Sequence, residues 1–599
     1  MKDFNETTIF KTDKQIVGRL LKYASPYKKN FIISLVLILV EVGISSLAPV
    51  LLGLIIRLIG SPIAYDDKIK YLVLIGVTFL AIIMMVSVVI YLQNWLLQTS
   101  GQKIVYNIRQ EVFLHIQSLS NNQINSIPVG KLVTRVTNDT NTLSEMYTSV
   151  IVSLIRNTLL MITLYVIMLA IGFRVALMMA LLFPFVVIAT MIFRKVSRLS
   201  YRTVRNNVSE INAFLNENIS GIKLTQIFNQ EEKKMNEFKE KNRNLKKSYY
   251  KELLVFAIYR PIMFLFASLA SILVLYLMTQ EIIKSIAAGQ SLIFVVAQIS
   301  LLAMLYQYAK DVFEPVQQLA EQFNVLQSAM ASAEKIFDVL DTTPEISDSE
   351  DAIELESFSG QIEFKNVWFK YVEDEWVLKD VSFKVNPNDT VAFVGATGSG
   401  KTTIMSLIVR NYEINQGQIL IDGIDIKQIK RSSLRKFIGQ MPQDVFLFTG
   451  SIKSNITLND DSISQEEVIE AANYVGADTF IDKLDDTYDH IVRERGNNFS
   501  TGQRQLLSFA RAIVYKPSLM ILDEATANID SETESLIQTS LEKMMAVNTM
   551  LVVAHRLSTI QHADTIIVMQ KGEIKEMGNH QELLKQKGLY YSLYQLQYE

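Results

Sequence analysis

The chain has 599 residues, more than one domain by the usual size range. Apolar residues make up 49% of it, with 22 Met and 30 Phe, and they crowd into the N-terminal half. A formal net charge of −3 argues against nucleic acid as a partner, and the absence of cysteine excludes disulfides, cysteine-ligated iron–sulfur clusters and thiol catalysis.

The opening stretch MKDFNETTIFKTDKQ is polar and lacks the apolar core of a cleaved signal peptide. Membrane insertion therefore falls to the helices that follow. Apolar stretches lie at 31–59, 71–97, 147–173, 175–193, 260–280 and 285–307. Each is long enough to cross a ~30 Å hydrocarbon core at about 1.5 Å per residue. The connections between spans two and three and between four and five are long, and the others are short. The N-terminal segment and the stretch after Phe193 are rich in Lys and Arg, whereas SPIAYDDKIK, GFR and EIIK carry few. By the positive-inside rule the long connections and both termini face the cytoplasm. Apolar spacing with interspersed charge predicts that the helices continue out of the membrane along those connections.

The segment DVLDTTPEISDSEDAIELESFSG (338–360) is acidic, poor in large apolar residues, and reads as a linker. Beyond it IEFKNVWFKY and VLKDVSFKV alternate like strands, and TVAFVGA is a short buried-strand run that ends in glycine. The expected architecture is an all-α, six-helix transmembrane domain followed by an α/β domain, which the run GATGSGKTT at the end of that strand marks as a P-loop nucleotide-binding domain. Its parts are a cytoplasmic N-terminal segment (1–30), the membrane domain with two long extensions (31–325), a linker (326–360) and the nucleotide domain (361–599). No internal repeat is evident.

GATGSGKTT (395–403) matches G-x-x-x-x-G-K-[ST] between a predicted strand and a predicted helix. In such a loop Gly395, Thr397, Gly398, Ser399 and Gly400 let backbone amides wrap ATP phosphates. Lys401 neutralises their oxygens, Thr402 offers its hydroxyl to Mg²⁺, and Thr403 follows in the helix. SLMILDEAT (518–526) is an apolar run that ends in two carboxylates. Asp523 is read as a ligand in the Mg²⁺ shell and Glu524 as the base that polarises the attacking water. His555 in MLVVAHRLST closes another apolar run and is a candidate sensor of the γ-phosphate.

These motifs, in this order, resemble the ATP-binding cassette exporters of the half-transporter type. The resemblance covers nearly the whole chain. It implies that Tyr371 in VWFKY stacks on adenine and that Gln443 in GQMPQDVFLF reaches Mg²⁺ and the attacking water. Glu494 in RERG resembles the X-loop, ANID (527–530) the D-loop, and His555 the switch histidine. FSTGQ stands in the place of the LSGGQ signature, so Ser500, Gly502 and Gln503 are implied to contact a nucleotide on the opposite cassette. Tips near NQINSIPVGKL and FLNENISGIKL resemble the coupling helices that seat on nucleotide domains.

One chain carries six spans and one cassette, so the family resemblance implies a second half-transporter as partner, in a bacterial cell membrane. Phe499 and Thr501 replace the Leu and first Gly of the signature, and ANID replaces SALD, while the P-loop, Glu524 and His555 keep the family pattern. That asymmetry predicts a heterodimer whose other chain has an intact signature and an altered base, with a homodimer as the alternative. The expected function is ATP-driven efflux of hydrophobic or amphipathic drugs; lipid or peptide export and a non-transport role are the alternatives. Glu41, inside the first span, has two readings: a site for cationic compounds, or a carboxyl paired with Arg57, Arg156 or Arg260.

Overall fold

The computed structural model describes residues 13–373, 375–523, 531–545, 548–553 and 560–598. It divides into two compact units. One runs up to Gln117 and resumes over Val129–Thr342; the other comprises Ser118–Pro128 and Thr343–Glu599.

The first unit is helical and holds six segments long and apolar enough to span a membrane. The longest single helices are Tyr65–Ser118 and Glu231–Ala287. The latter has 57 residues, and at about 1.5 Å per residue it is roughly 85 Å long, far beyond a ~30 Å hydrocarbon core. The expected helical extensions are therefore present. In the second span only 6% of the apolar window is buried, and Val73, Leu74, Val77 and Leu80 stand exposed. A helix apolar all round with so little protein cover needs lipid or another chain around it.

Two expected spans are broken rather than continuous. The first is a helix over Lys28–Ser45 and a second over Ala48–Ile59. Pro49 has no N–H to offer the Ser45 carbonyl, which ends the first ladder. The Ser46 carbonyl at the break accepts a hydrogen bond from the Tyr308 hydroxyl at 2.7 Å. The fourth span breaks likewise between Phe173–Ala180 and Phe183–Ser220, with Pro184 in the first turn of the second helix. The sixth helix segment, Phe313–Leu340, runs on through the first part of the stretch expected to be linker.

The tips of the two long connections differ. The first, a helix over Asn121–Ser126, belongs to the unit that holds the strands. The second, over Ile222–Ile227, stays with the membrane unit and buries none of its residues.

The second unit contains twelve strands among its described residues. These are β1 (Ile362–Lys370), β2 (Trp376–Val385), β3 (Thr390–Val394), β4 (Gln416–Ile421), β5 (Ile424–Asp425) and β6 (Ile438–Met441). The rest are β7 (Gly450–Ser451), β8 (Ile491–Val492), β9 (Leu519–Asp523), β10 (Thr549–Val553), β11 (Thr565–Gln570) and β12 (Glu573–Gly578). A six-stranded sheet has the order β12-β11-β3-β10-β9-β6, and a four-stranded one the order β2-β1-β4-β5. In the larger sheet β11, β3, β10, β9 and β6 are parallel and β12 alone is antiparallel. Strands β3 and β10 are buried at every position, as central strands covered on both faces must be. The two sheets share a core. Phe364 and Phe383 stack at 4.5 Å, and Phe393 of β3 meets Phe383 edge-on at 5.5 Å; such pairs contribute about 0.5–1.5 kcal/mol each beyond area burial.

Candidate functional site

Parallel register decides which motifs meet. Phe393 of β3 and Asp523 of β9 both pair with Val553 of β10, and Leu522 pairs with Met441 of β6. The P-loop after β3, Asp523 at the end of β9 and Gln443 just past β6 therefore emerge along one edge of the sheet, at its carboxyl ends. Ligands of open α/β sheets bind there. Glu524 follows Asp523 directly and His555 lies two residues beyond Val553; both, with ANID (527–530), lie outside the described residues.

Three glycines shape the P-loop, with φ of 153° at Gly395, 81° at Gly398 and 105° at Gly400. The last is left-handed and opens the helix Lys401–Ile408. A Cβ at Gly400 would lie 2.7 Å from Leu378 Cδ2, and one at Gly395 would strike the Met569 carbonyl. Glycine is therefore required there by both conformation and space. Lys401 is buried, and its ammonium donates to the carbonyls of Gly395 at 2.8 Å and Ala396 at 3.0 Å. Burial pushes its pKa down, and the Asp523 carboxylate pulls it back up. The Ser399 hydroxyl is buried with no hydrogen-bond partner among the described residues.

A buried ammonium, an orphaned hydroxyl and a left-handed glycine turn at a helix start fit an anionic oxygen ligand such as a phosphate. Thr397, Gly398 and Thr402 are exposed at the loop. Thr402, Gln443 and Asp523 offer only oxygen ligands, and Gln443 is exposed; that donor set suits Mg²⁺, a hard cation.

Tyr371 donates to or accepts from Thr403 Oγ1 at 3.0 Å, which ties its ring to the P-loop helix. Phe369 and Tyr412 meet that ring edge-on at 4.8 and 5.0 Å. Tyr412 escaped the sequence reading. So did the tip residue Asn125, whose side chain faces the Tyr412 hydroxyl. The same tip is locked to the supposed linker. Ser120 Oγ donates to Glu345 Oε2 at 2.8 Å, and Gln123 Nε2 donates to the Thr343 carbonyl at 2.8 Å. Further along, Arg410 pairs with both Glu413 and Asp348. The middle of the expected linker, over 343–348, is thus a strap within the nucleotide unit. No local pattern announces it, because each partner lies far away in sequence.

The signature segment is built differently. Ser500 caps the helix Thr501–Val514: its hydroxyl accepts from the Gln503 N–H at 3.2 Å, and the Gln503 side chain accepts from the Ser500 N–H at 2.9 Å. Phe499, in the place of the usual Leu, is buried and packs near Phe480 and His490. Thr501 is the first helical residue and exposed, and Arg504 donates to its hydroxyl at 3.2 Å. Gly502 is buried. Thr501 does not stand at positive φ, so the backbone there needs no glycine, and only the bulk of its side chain sets it apart from the motif. Arg511, one more residue missed in the sequence, donates from this helix to the carbonyls of Asn455 (2.7 Å) and Phe446 (3.0 Å). It thereby holds the segment that follows Gln443.

In the membrane unit Glu41 is buried, and its Oε1 accepts from Arg156 at 2.8 Å. Of the two readings for Glu41, the structure has the ion pair, with Arg156 as the partner. Arg260 instead approaches Glu321 at 3.4 Å.

Comparison with known proteins agrees with this geometry. The family described as "ABC transporter transmembrane region" matches residues 31–305, and that described as "ABC transporter" matches 378–527. The chain is 37% identical to a "Putative ABC transporter ATP-binding protein exp8" of Streptococcus pneumoniae, covering 97% of each. It is 35% identical to a "Probable multidrug resistance ABC transporter ATP-binding/permease protein YheH" of Bacillus subtilis, covering 89% of this chain and 78% of that one. It is 33% identical to an "ATP-dependent lipid A-core flippase" of Syntrophus aciditrophicus, covering 98% and 95%. With six apolar spans fused to one phosphate-cradling cassette, the chain belongs to the ABC transporters, as an exporter half-transporter that couples ATP hydrolysis to transport.

Proposed function

We propose that the chain exports hydrophobic or amphipathic compounds across a bacterial cell membrane, both termini cytoplasmic, as one half of a heterodimer. In this reading Lys401, Ser399 and the P-loop glycines hold the ATP phosphates and Tyr371 faces the adenine. Thr402, Gln443 and Asp523 would hold Mg²⁺, which neutralises phosphate charge when bound. Glu524 takes a proton from the attacking water, and His555 orients the γ-phosphate.

The observation that carries the asymmetric reading is the contrast within the nucleotide unit. The P-loop glycines all stand, and at Gly395 and Gly400 a side chain would collide with its surroundings. FSTGQ instead keeps its capping serine and Gly502 but adds an exposed Thr501 beside them. A partner with an intact signature would complete this chain's own site, and FSTGQ would close over the partner's. The bare second tip supports a second chain. Ile219, Ile222, Leu224, Ile227 and Phe228 are all exposed in and beside one short helix, and such a cluster marks a contact surface.

One further observation favours a homodimer: the Ser500–Gln503 capping box is complete, so the altered segment still presents a well-formed helix start. The relatives named for multidrug resistance and for lipid A-core flipping support export of apolar compounds and leave drug and lipid as the two substrate classes. Co-expression with a neighbouring half-transporter, against this chain alone, with ATPase rate and bound nucleotide per dimer as readouts, tests the assembly. Full activity from this chain alone, with both sites turning over alike, would overturn the heterodimer.

A further inference from the structure

The membrane unit holds a cavity of about 900 Å³ whose lining includes Arg135, Arg198, Arg202, Arg205 and Lys335. Asp139 and Glu145 are the carboxylates of that lining. Asp139 is already committed. It is buried, accepts from Arg135 at 2.6 Å, and accepts from the Ser332 hydroxyl at 2.8 Å. Arg198, Arg202, Arg205 and Lys335 form no ion pair among the described residues.

We propose that this cavity binds the anionic headgroup, phosphate or carboxylate, of an amphiphilic substrate; the proposal rests on the export reading above and names the substrate class. Lys and Arg outside the spans are expected on the cytoplasmic side, and for most of them solvation is explanation enough. Here, however, cations converge. Arg198, Arg202 and Arg205 lie four and three residues apart, on one face of the helix Phe183–Ser220. Lys335 comes from the helix Phe313–Leu340 and Arg135 from a π-helical turn, Arg135–Asp139. Such turns inside helices are frequent at functional sites. With Arg135 answered by Asp139, four cations from two helices face one remaining carboxylate, Glu145, and a cleft with such an excess of positive charge concentrates counter-ions of the other sign. The volume falls within the roughly 300–1,000 Å³ of small-molecule sites.

Glu41, for which a cation site was one of two readings, is meanwhile paired with Arg156. The charge available to a ligand in this cavity is positive. Arginine also suits the ligand, because its planar fork pairs with phosphate or carboxylate through two parallel hydrogen bonds.

The test uses the assembled transporter in phosphatidylcholine vesicles, with ATPase followed through ADP release. The probes are dodecyl phosphate, dodecanoate, dodecyltrimethylammonium and, as a headgroup without a tail, glycerol 3-phosphate. Both anionic amphiphiles should stimulate at lower concentration than the ammonium compound. The pair Arg202→Gln and Arg205→Gln should raise their half-stimulating concentration roughly tenfold or more while leaving the ammonium response in place. Arg202→Lys with Arg205→Lys keeps the charge and guards against misfolding; it should shift the anionic response less than the Gln pair does, the remaining loss being that of the fork. An unshifted anionic response in the Gln variant, or a preference for the ammonium compound, would overturn the proposal and leave export intact. Stimulation by glycerol 3-phosphate equal to that by dodecyl phosphate would overturn the amphiphile and assign the cavity to free phosphates. Stimulation by no probe of either charge would overturn the proposal together with the reading that the substrates are amphipathic.

Discussion

The P-loop and the signature segment each lead into a helix start, but by different backbones. The P-loop turns through left-handed glycines, and a methyl group at Gly395 or Gly400 would collide with Met569 or Leu378. The signature segment enters its helix through an extended Ser500, with ordinary helical residues after it and a capping box that satisfies its own first N–H groups. Substitution is therefore tolerated unequally. The P-loop cannot drift without losing its shape, whereas position 501 can accept Thr and keep the fold. An altered residue at 501 reports on function alone, because stability does not hold it in place.

The largest effect should come from the catalytic side of this comparison. Glu524→Gln removes the proposed base while keeping shape, so turnover in the assembled transporter should fall by about 10²–10⁴. Nucleotide binding, read by equilibrium binding of a labelled ATP analogue, should stay near the parent value. Hydrolysis at the parent rate would show that the base lies elsewhere. Lys401→Ala is next. It removes a buried charged donor from the cradle, and hydrogen bonds to charged groups contribute about 1.5–3 kcal/mol, so ATP affinity should fall by roughly one to two orders of magnitude. Unchanged affinity would dissociate Lys401 from the phosphates.

Much of this side was legible in the sequence because it is local. A strand run, a glycine-rich turn and a helix follow one another within GATGSGKTT and its flanks, and β3, β9 and β10 appear where apolar runs predict them. The six spans were legible for the same reason. What escaped depends on distant partners. The lock of Ser120 and Gln123 onto Thr343 and Glu345 joins residues more than two hundred positions apart. The approach of Tyr412 to Tyr371 depends on how β1 packs beside the P-loop helix. The break at Ser46 was foreseeable from Pro49, but hydropathy alone draws one continuous span there. Glu41 could be placed in the membrane by counting, yet its choice of Arg156 over Arg57 and Arg260 needed the helix packing.

A smaller effect separates the capping role of Ser500 from any role toward a nucleotide. Ser500→Ala removes the acceptor for the Gln503 N–H and should cost about 1 kcal/mol of local stability, seen as a modest drop in melting temperature. Ser500→Asp or Ser500→Asn keeps a capping oxygen and should restore stability. If ATPase activity of the assembled transporter falls in all three variants alike, the hydroxyl serves the ligand as well as the helix. If activity tracks stability, capping is its whole contribution.

The smallest expected effect is the most discriminating. Thr501→Gly restores the signature pattern at an exposed first-turn position whose backbone is already helical. It gives up one hydrogen bond from Arg504 at 3.2 Å, and stability should shift by no more than about 1 kcal/mol. The consequence for turnover depends on the assembly. In a heterodimer, FSTGQ closes over a site whose other half carries an altered base. Slimming Thr501 cannot supply that base, so total ATPase should change by less than about twofold, well under the tenfold that 1.4 kcal/mol of barrier would give. In a homodimer the same segment closes over Glu524 at both sites. Removing a branched side chain beside the γ-phosphate should then speed both, several-fold in rate and equally in the two. One substitution, measured on the complex purified with whatever partner it recruits, therefore separates the two assemblies. A several-fold gain would remove the heterodimer proposed above and leave the P-loop assignment untouched.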